Sequence, residues 1–144
     1  MTAPVVLITG ALAASGRATA PAFARQGARL VVSGRRDDAG QALAGELREL
    51  GVEAEFIRAD VRHEADVEAL VAGTLARFGR LDVAVNNAGT EGRLAPLTDV
   101  GDDSYAAVFD TNVLGTGLNL KHELRAMREQ GSGAIVNLSS SPAR

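Results

Sequence analysis

Short polar or glycine-bearing stretches follow each apolar run of this sequence, and they hold the residues that could do chemistry. The first is ITGALAASGRATA, residues 8–20. A glycine turn that enters a helix offers unpaired N–H groups and the positive end of the helix dipole, which suits a phosphate. Gly10 allows the tight turn, and Gly16 allows the helix to pack closely on the strand. Ala14 stands where the backbone should come nearest a pyrophosphate, in place of the glycine such loops usually carry there. Ser15 can offer its hydroxyl to a phosphate or cap the helix. The alternative is a strand-to-helix turn with no ligand, because a partial glycine motif alone is a weak signal.

The later stretches narrow the chemistry. An acidic residue after the second strand would bind ribose hydroxyls and select NAD. This chain has SGRR there, and Arg35 can pair bidentately with a 2′-phosphate, which favours NADP. The competing reading makes Arg35 and Arg36 a solvated pair balanced by Asp37 and Asp38. In ADV, the Asp60 carboxylate can accept an adenine amino group while the Val61 N–H serves a ring nitrogen; alternatively Asp60 caps the next helix. NNAG, residues 86–89, follows a buried strand directly. Its asparagines can tie neighbouring strands and a ligand by hydrogen bonds. Asn87, Ala88 and Gly89 are the candidate cofactor contacts, the last two leaving room for a flat ring system.

These stretches need a scaffold that brings strand ends together. VVLIT and RLVVSG read as short strands covered on both faces. Helices are expected from about Ser15 to Gln26, closed by Gly27; from Asp37 or Asp38 to Gly51; and from Glu64 to Phe78, stopped by Gly79. EAEFIRAD, LDVAVNNAG and GAIVNLSS supply three further strands. A long helix is expected from near Asp102 towards Gln130, weakened at Gly115 and Gly117 by about 1 kcal/mol each relative to alanine. Alternating strands and helices of this length predict an α/β fold: a doubly wound parallel sheet of about five strands with helices on both faces. Ligands of such sheets sit outside the carboxyl ends of the strands, where every stretch above falls.

Composition removes other classes. The 144 residues, 46% hydrophobic and 23% charged with net charge −3, fit one domain and argue against a nucleic-acid or anionic-membrane surface. There is no cysteine, which removes disulfides, thiolate metal sites and cysteine nucleophiles and fits a reducing cytoplasm. No segment approaches the roughly 18 apolar residues of a membrane span, and the N-terminus lacks a signal-peptide pattern. The P-loop signature and the G-x-S-x-G nucleophile elbow are absent. His63 and His122 have no ligand-spaced partners, so no metal is expected.

Taken in order, TGALAASGRATA, ADV, NNAG, FDTNVLGT and GAIVNLSS resemble the motifs of the short-chain dehydrogenase/reductase family along the whole chain. The first departs from the family's TGxxxGxG at Ala14. The resemblance implies a Rossmann-type dinucleotide-binding domain over residues 1–144 and an oxidoreductase that exchanges hydride between NADP (or NAD) and an alcohol or carbonyl substrate. It implies Asn112 of DTNVLG as the catalytic asparagine and Ser140 of NLSS as the serine that polarises the substrate oxygen, with Ser139 and Ser141 as neighbouring alternatives. It also implies a Tyr-x-x-x-Lys pair beyond that serine, which these residues do not contain. The only tyrosine is Tyr105 and the only lysine Lys121, sixteen positions apart. The domain is therefore expected to be C-terminally incomplete, with an apolar edge at the fifth strand. The long helix is similar to one the family uses for dimer contacts, so a homo-oligomer is expected. The alternative is a catalytically inactive dinucleotide-binding or interaction module.

Overall fold

The computed structural model describes residues 2–139, and Ser140 and Ser141 lie outside the described residues. Five parallel strands, β1 (Val5–Ile8), β2 (Arg29–Gly34), β3 (Ala54–Arg58), β4 (Val83–Asn86) and β5 (Ala134–Asn137), form one sheet in the order β3-β2-β1-β4-β5. The helices between them are α1 (Ala14–Arg25), α2 (Asp37–Glu49), α3 (Glu64–Phe78), α4 (Asp102–Phe109) and α5 (Gly115–Gln130). Strand order reverses between β1 and β4, so the crevice beside these two strands is the switch point at which open α/β sheets hold ligands.

The strand sequences explain the layering. Successive strand side chains point to opposite faces, so both faces of β1 must be apolar if both are covered. Val6 and Ile8 join Leu30, Val32, Ala54 and Phe56 under α1 and α2, which contribute Ala20, Ala24, Leu43 and Leu47. Val5 and Leu7 join Val31 and Ala84 on the other face, under Leu70 and Val71 of α3 and Ala126 and Met127 of α5. Every residue of β1 is buried. This is the fold class expected from the alternation of apolar runs.

Three local expectations change. Helix α1 has Ala13 as its N-cap and no side-chain capping bond, so Ser15 lies within the first turn and does not cap it. Helix α3 has His63 as its N-cap, again without a side-chain bond, so Asp60 does not cap it. The expected continuous helix from Asp102 to Gln130 is divided by a π-helical turn, Asp110–Leu114, a feature that often marks functional sites. Gly115 follows that turn, and its lack of a side chain serves packing: a Cβ there would stand 2.7 Å from Cγ2 of Val61.

Two glycines of α2 test the packing. A Cβ on Gly40 would stand 2.1 Å from the Phe56 ring, whereas one on Gly45 would meet nothing within 4 Å. Both alanine variants gain up to ~1 kcal/mol of helix propensity. Overpacking a buried ring costs about 1–3 kcal/mol, so Gly40→Ala is expected to destabilise the chain while Gly45→Ala stabilises it. Urea denaturation of the two variants checks the opposite signs.

Candidate functional site at the switch point

Thr9 directly follows β1, and its hydroxyl oxygen accepts the N–H groups of Asn87 at 3.2 Å and Ala88 at 3.3 Å. The Asn87 side chain reaches back across the crevice, donating from Nδ2 to the Gly10 carbonyl at 3.0 Å. Its Oδ1 accepts the Ser15 hydroxyl at 2.7 Å. The turns after β1 and β4 are thus sewn together by four hydrogen bonds from three different kinds of group. Gly10 has φ +59°, and a Cβ on it would lie 2.7 Å from the Ala88 Cα, so both its conformation and its contact require glycine. A Cβ on Gly16 would lie 2.2 Å from the Gly10 carbonyl oxygen and 2.6 Å from Asn87 Nδ2.

Beyond this seam opens a cavity of about 440 Å³. It is lined by the turn after β1 (Thr9, Gly10, Leu12, Ala13), the end of β2 (Ser33 to Arg36), residues 59–62 after β3 and residues 88–90 after β4. Ala107 and Thr111 also line it. Gly10, Arg35, Asp60, Val61, Ala88 and Gly89 therefore line one cavity, as their positions after strands implied. Ser15, Gly16 and Asn87 stand behind the wall and shape it. Thr9, Leu12, Ser33, Arg62 and Thr111 are additional lining residues. Arg62 was detectable two positions after Asp60, but nothing in the sequence marks Thr111 as facing the same space.

The charges are unevenly paired. Arg62 grips Asp60, donating from Nε to Oδ1 at 3.0 Å and from Nη2 to Oδ2 at 2.6 Å, while its backbone N–H reaches Oδ1 at 3.1 Å. This hydrogen-bonded guanidinium holds the Asp60 carboxyl at about 2, against the opposing effect of burial. Arg35 and Arg36 form no ion pair among the described residues, so the balance by Asp37 and Asp38 is not formed. Those two acids instead occupy the first turn of α2, where they favour its dipole. No acid lies in the first turn of α1, whereas α2, α3 and α4 each have two. The wall of the cavity thus carries the Ala13 end of α1, with no acid in that helix's first turn, and Arg35 and Arg36, unpaired among the described residues, a combination suited to a phosphate-bearing ligand.

Asn112 sits in the π turn and clasps the loop after β4. It accepts the Thr90 N–H at Oδ1 and donates from Nδ2 to the Thr90 carbonyl, both at 2.8 Å. Tyr105 is 60% exposed and stacks on Phe109 with centroids 4.3 Å apart. Lys121 pairs with Glu64 of α3, so these two residues lie in unrelated settings. Among the described residues no cluster of three or more His, Asp or Glu side chains could hold a metal, and no helix is long and apolar enough to cross a membrane.

With this geometry in place, comparison with known proteins is informative. The family profile described as short chain dehydrogenase matches residues 4–144. A 3beta-hydroxysteroid dehydrogenase of Mediterraneibacter gnavus is 38% identical over 136 residues, covering 94% of this chain and 49% of that protein. An NAD+-bound xylitol dehydrogenase superposes with a TM-score of 0.92 at 36% identity, over 95% of this chain and 53% of that one. A variant actinorhodin polyketide ketoreductase with NADPH gives a TM-score of 0.90 at 38% identity, over 96% of this chain and 53% of that one. The chain belongs to the short-chain dehydrogenase family. It spans about half the length of the curated relatives it matches.

The Asp60–Arg62 pair predicts an acid dependence. A carboxyl depressed from 3.8 to about 2 contributes its full stabilisation above its unfolded value, and this is lost as pH falls from about 4 towards 2. Asp60→Asn is expected to cost about 1–2 kcal/mol at pH 7, discounted for the exposure of Arg62. The variant and the parent should converge near pH 2. Denaturation midpoints measured between pH 2 and pH 7 check both.

Proposed function

We propose that residues 1–144 form the cofactor-binding domain of an NADP(H)-dependent oxidoreductase acting on an alcohol or carbonyl substrate. The observation that carries this reading is the cavity at the switch point, flanked by the acid-free N-terminus of α1 and by Arg35 and Arg36. Structural neighbours of this chain are named with either NAD+ or NADPH; the two arginines, unpaired among the described residues, support NADP for this chain.

When bound, the dinucleotide supplies the hydride donor or acceptor for the substrate carbon. The residues of this chain bind and orient it. Gly10 and the first turn of α1, with Ser15 and Gly16, shape the pyrophosphate cradle, and Gly10 keeps that cradle clear of a Cβ that would meet Ala88. Arg35 pairs the 2′-phosphate. Asp60 accepts from the adenine amino group, and Val61 offers its backbone N–H to the ring. Ala88 and Gly89 leave space for flat rings, and Asn87 fixes the two turns between which the ligand lies. Asn112, as the catalytic asparagine, holds the loop after β4 at Thr90 beside Gly89. Ser140 is assigned to hold the substrate oxygen on the basis of the motif alone. Residues 1–144 contain no Tyr-x-x-x-Lys pair; the second reading is a domain that binds dinucleotide without itself moving the proton.

Calorimetric titration with NADPH and NADH tests the binding. NADPH is expected to bind more tightly, and Arg35→Ala to weaken NADPH about tenfold, the equivalent of one charge-assisted contact of ~1.4 kcal/mol, while changing NADH by less than about twofold. Heat from neither nucleotide would overturn the cofactor reading. Tighter NADH would overturn the role of Arg35.

Self-association belongs to the same proposal. Val136 and Leu138 at the β5 edge are 50% and 45% exposed, and Phe109, Val113 and Leu114 are exposed around the π turn. Exposed apolar edges favour pairing. Residues 1–144 are expected to sediment as a dimer or larger species at micromolar concentration. Analytical ultracentrifugation checks this, and a monomer with cooperative high-temperature unfolding would refute it.

A further inference from the structure

One buried acid takes no part in the cofactor reading. Glu123 of α5 is 0% exposed. Its Oε2 accepts from Asn86 Nδ2 at 3.2 Å, and among the described residues its Oε1 has no partner. Asn86 Nδ2 also donates to Asn137 Oδ1 at 3.0 Å, so one amide group spends both hydrogens joining α5, β4 and β5. Asn86 and Asn137 are paired at the last position of the β4–β5 ladder. Directly after them come residues 87–89 of the cavity wall and residues 138–139, which lead to Ser140.

A second anomaly lies beside the first. Asn119 precedes Glu123 by one helical turn and so shares its helix face. It is 1% exposed, and its Nδ2 donates to the Gly115 carbonyl at 2.8 Å, which fixes the amide orientation. Its Oδ1 is also without a partner. Two buried acceptors on adjacent turns of one helix face thus lack a donor among the described residues. A carboxylate at Glu123 leaves both unsatisfied and adds a buried charge with a single N–H donor. A carboxylic acid removes the charge and turns one acceptor into a donor.

We propose that Glu123 is a positioning residue which, as the neutral acid, fastens the rims of β4 and β5 to α5 through Asn86 and Asn137, and releases that fastening when it ionises. Among the described residues no cation pairs with it. Helix α3 presents Glu64, which pairs with Lys121 and His122 on α5. The strands present only the amides of Asn86 and Asn137. Asp110 of the π turn acts on Arg62. Burial accordingly raises the Glu123 carboxyl to about 7, the Asn86 bond opposing in part. Among the described residues β5 is exposed at three of four positions and is paired on one side only, by its ladder to β4, so the Asn137–Asn86–Glu123 link adds to its attachment.

The sign follows from linkage. A carboxyl whose folded value lies above its unfolded 4.5 binds more protons in the folded state between those limits. Stability therefore falls as pH rises through about 5 to 7 and levels off above. The folding equilibrium constant should drop on the order of a hundredfold between pH 5 and pH 8 relative to a variant without the acid. The test compares the parent chain with Glu123→Gln, whose amide keeps an acceptor for Asn86 and carries N–H donors without charge. Urea unfolding across pH 5–8 is expected to show the steep decline in the parent and its loss in Glu123→Gln. The difference between the two isolates the contribution of the side chain at position 123. Parallel profiles would overturn the proposal. Should the glutamine variant not fold, the parent alone decides: the Glu123 carboxyl ¹³C and Asn86 side-chain amide resonances must titrate together with a midpoint near 7. A carboxyl midpoint near 4.5, or an Asn86 amide indifferent to it, would equally overturn the assignment. The proposal does not rest on the dinucleotide reading, because neither readout uses a nucleotide.

Discussion

The carboxyl edge of this sheet depends on how closely the turn after β1 approaches the turn after β4. Gly10 and Ala88 come within a distance at which no side chain fits, and the Asn87 side chain spans what remains. Buried backbone groups must find partners, and strands that diverge at a switch point leave several without one. Thr9 and Asn87 satisfy them from the side: one hydroxyl serves two N–H groups, and one amide serves a carbonyl and a hydroxyl. The cavity exists because these short polar groups hold the two turns at a fixed spacing. Replacing them with larger apolar groups would close the crevice or leave N–H groups unsatisfied.

This explains why the residues named as ligand contacts divide into two kinds. Gly10, Ala88 and Gly89 line the cavity, and Gly16, Ser15 and Asn87 do not. The second group acts by setting the separation of the first. Ser15 shows the difference well. A serine near the start of a helix usually caps it, yet here Ala13 holds the N-cap position and the serine hydroxyl is committed to Asn87. Helix α1 thus begins beside the cavity at Ala13 with neither a side-chain cap nor an acid in its first turn.

The fold was legible because β1, β2 and β4 are short apolar runs with no polar face, which only a sheet covered on both sides accommodates. The strand-end motifs were legible for the same reason, since polar residues directly after such runs have few other places to go. What escaped the sequence were relations across space. A π turn at Asp110–Leu114 leaves no mark in a pattern read at helical period. Gly115 looked like a weak point in a helix and proves to be the clearance for Val61. Glu123 sits in ELRAMREQ, which reads as a solvated helix end. Only the packing of α5 on β4 reveals that one of its acids is fully buried.

The electrostatics of the cavity separate affinity from recognition. Asp60 is the one acid on the wall, and its oxygens already accept from the backbone and guanidinium of Arg62. An amino group offered to Asp60 therefore joins a shared acceptor, and its net contribution falls at the low end of the ~0.5–1.5 kcal/mol usual for a hydrogen bond. A phosphate offered to Arg35, Arg36 or the N-terminus of α1 meets groups that no acid among the described residues neutralises, and charge-assisted bonds are roughly twice as strong. Under the dinucleotide reading, the phosphates supply most of the binding free energy and the base mainly sets orientation. The ion pair within the cavity wall then serves a different end: it keeps Asp60 anionic and fixed, so that the end of β3 presents one geometry to the ligand across the whole range in which the fold is stable.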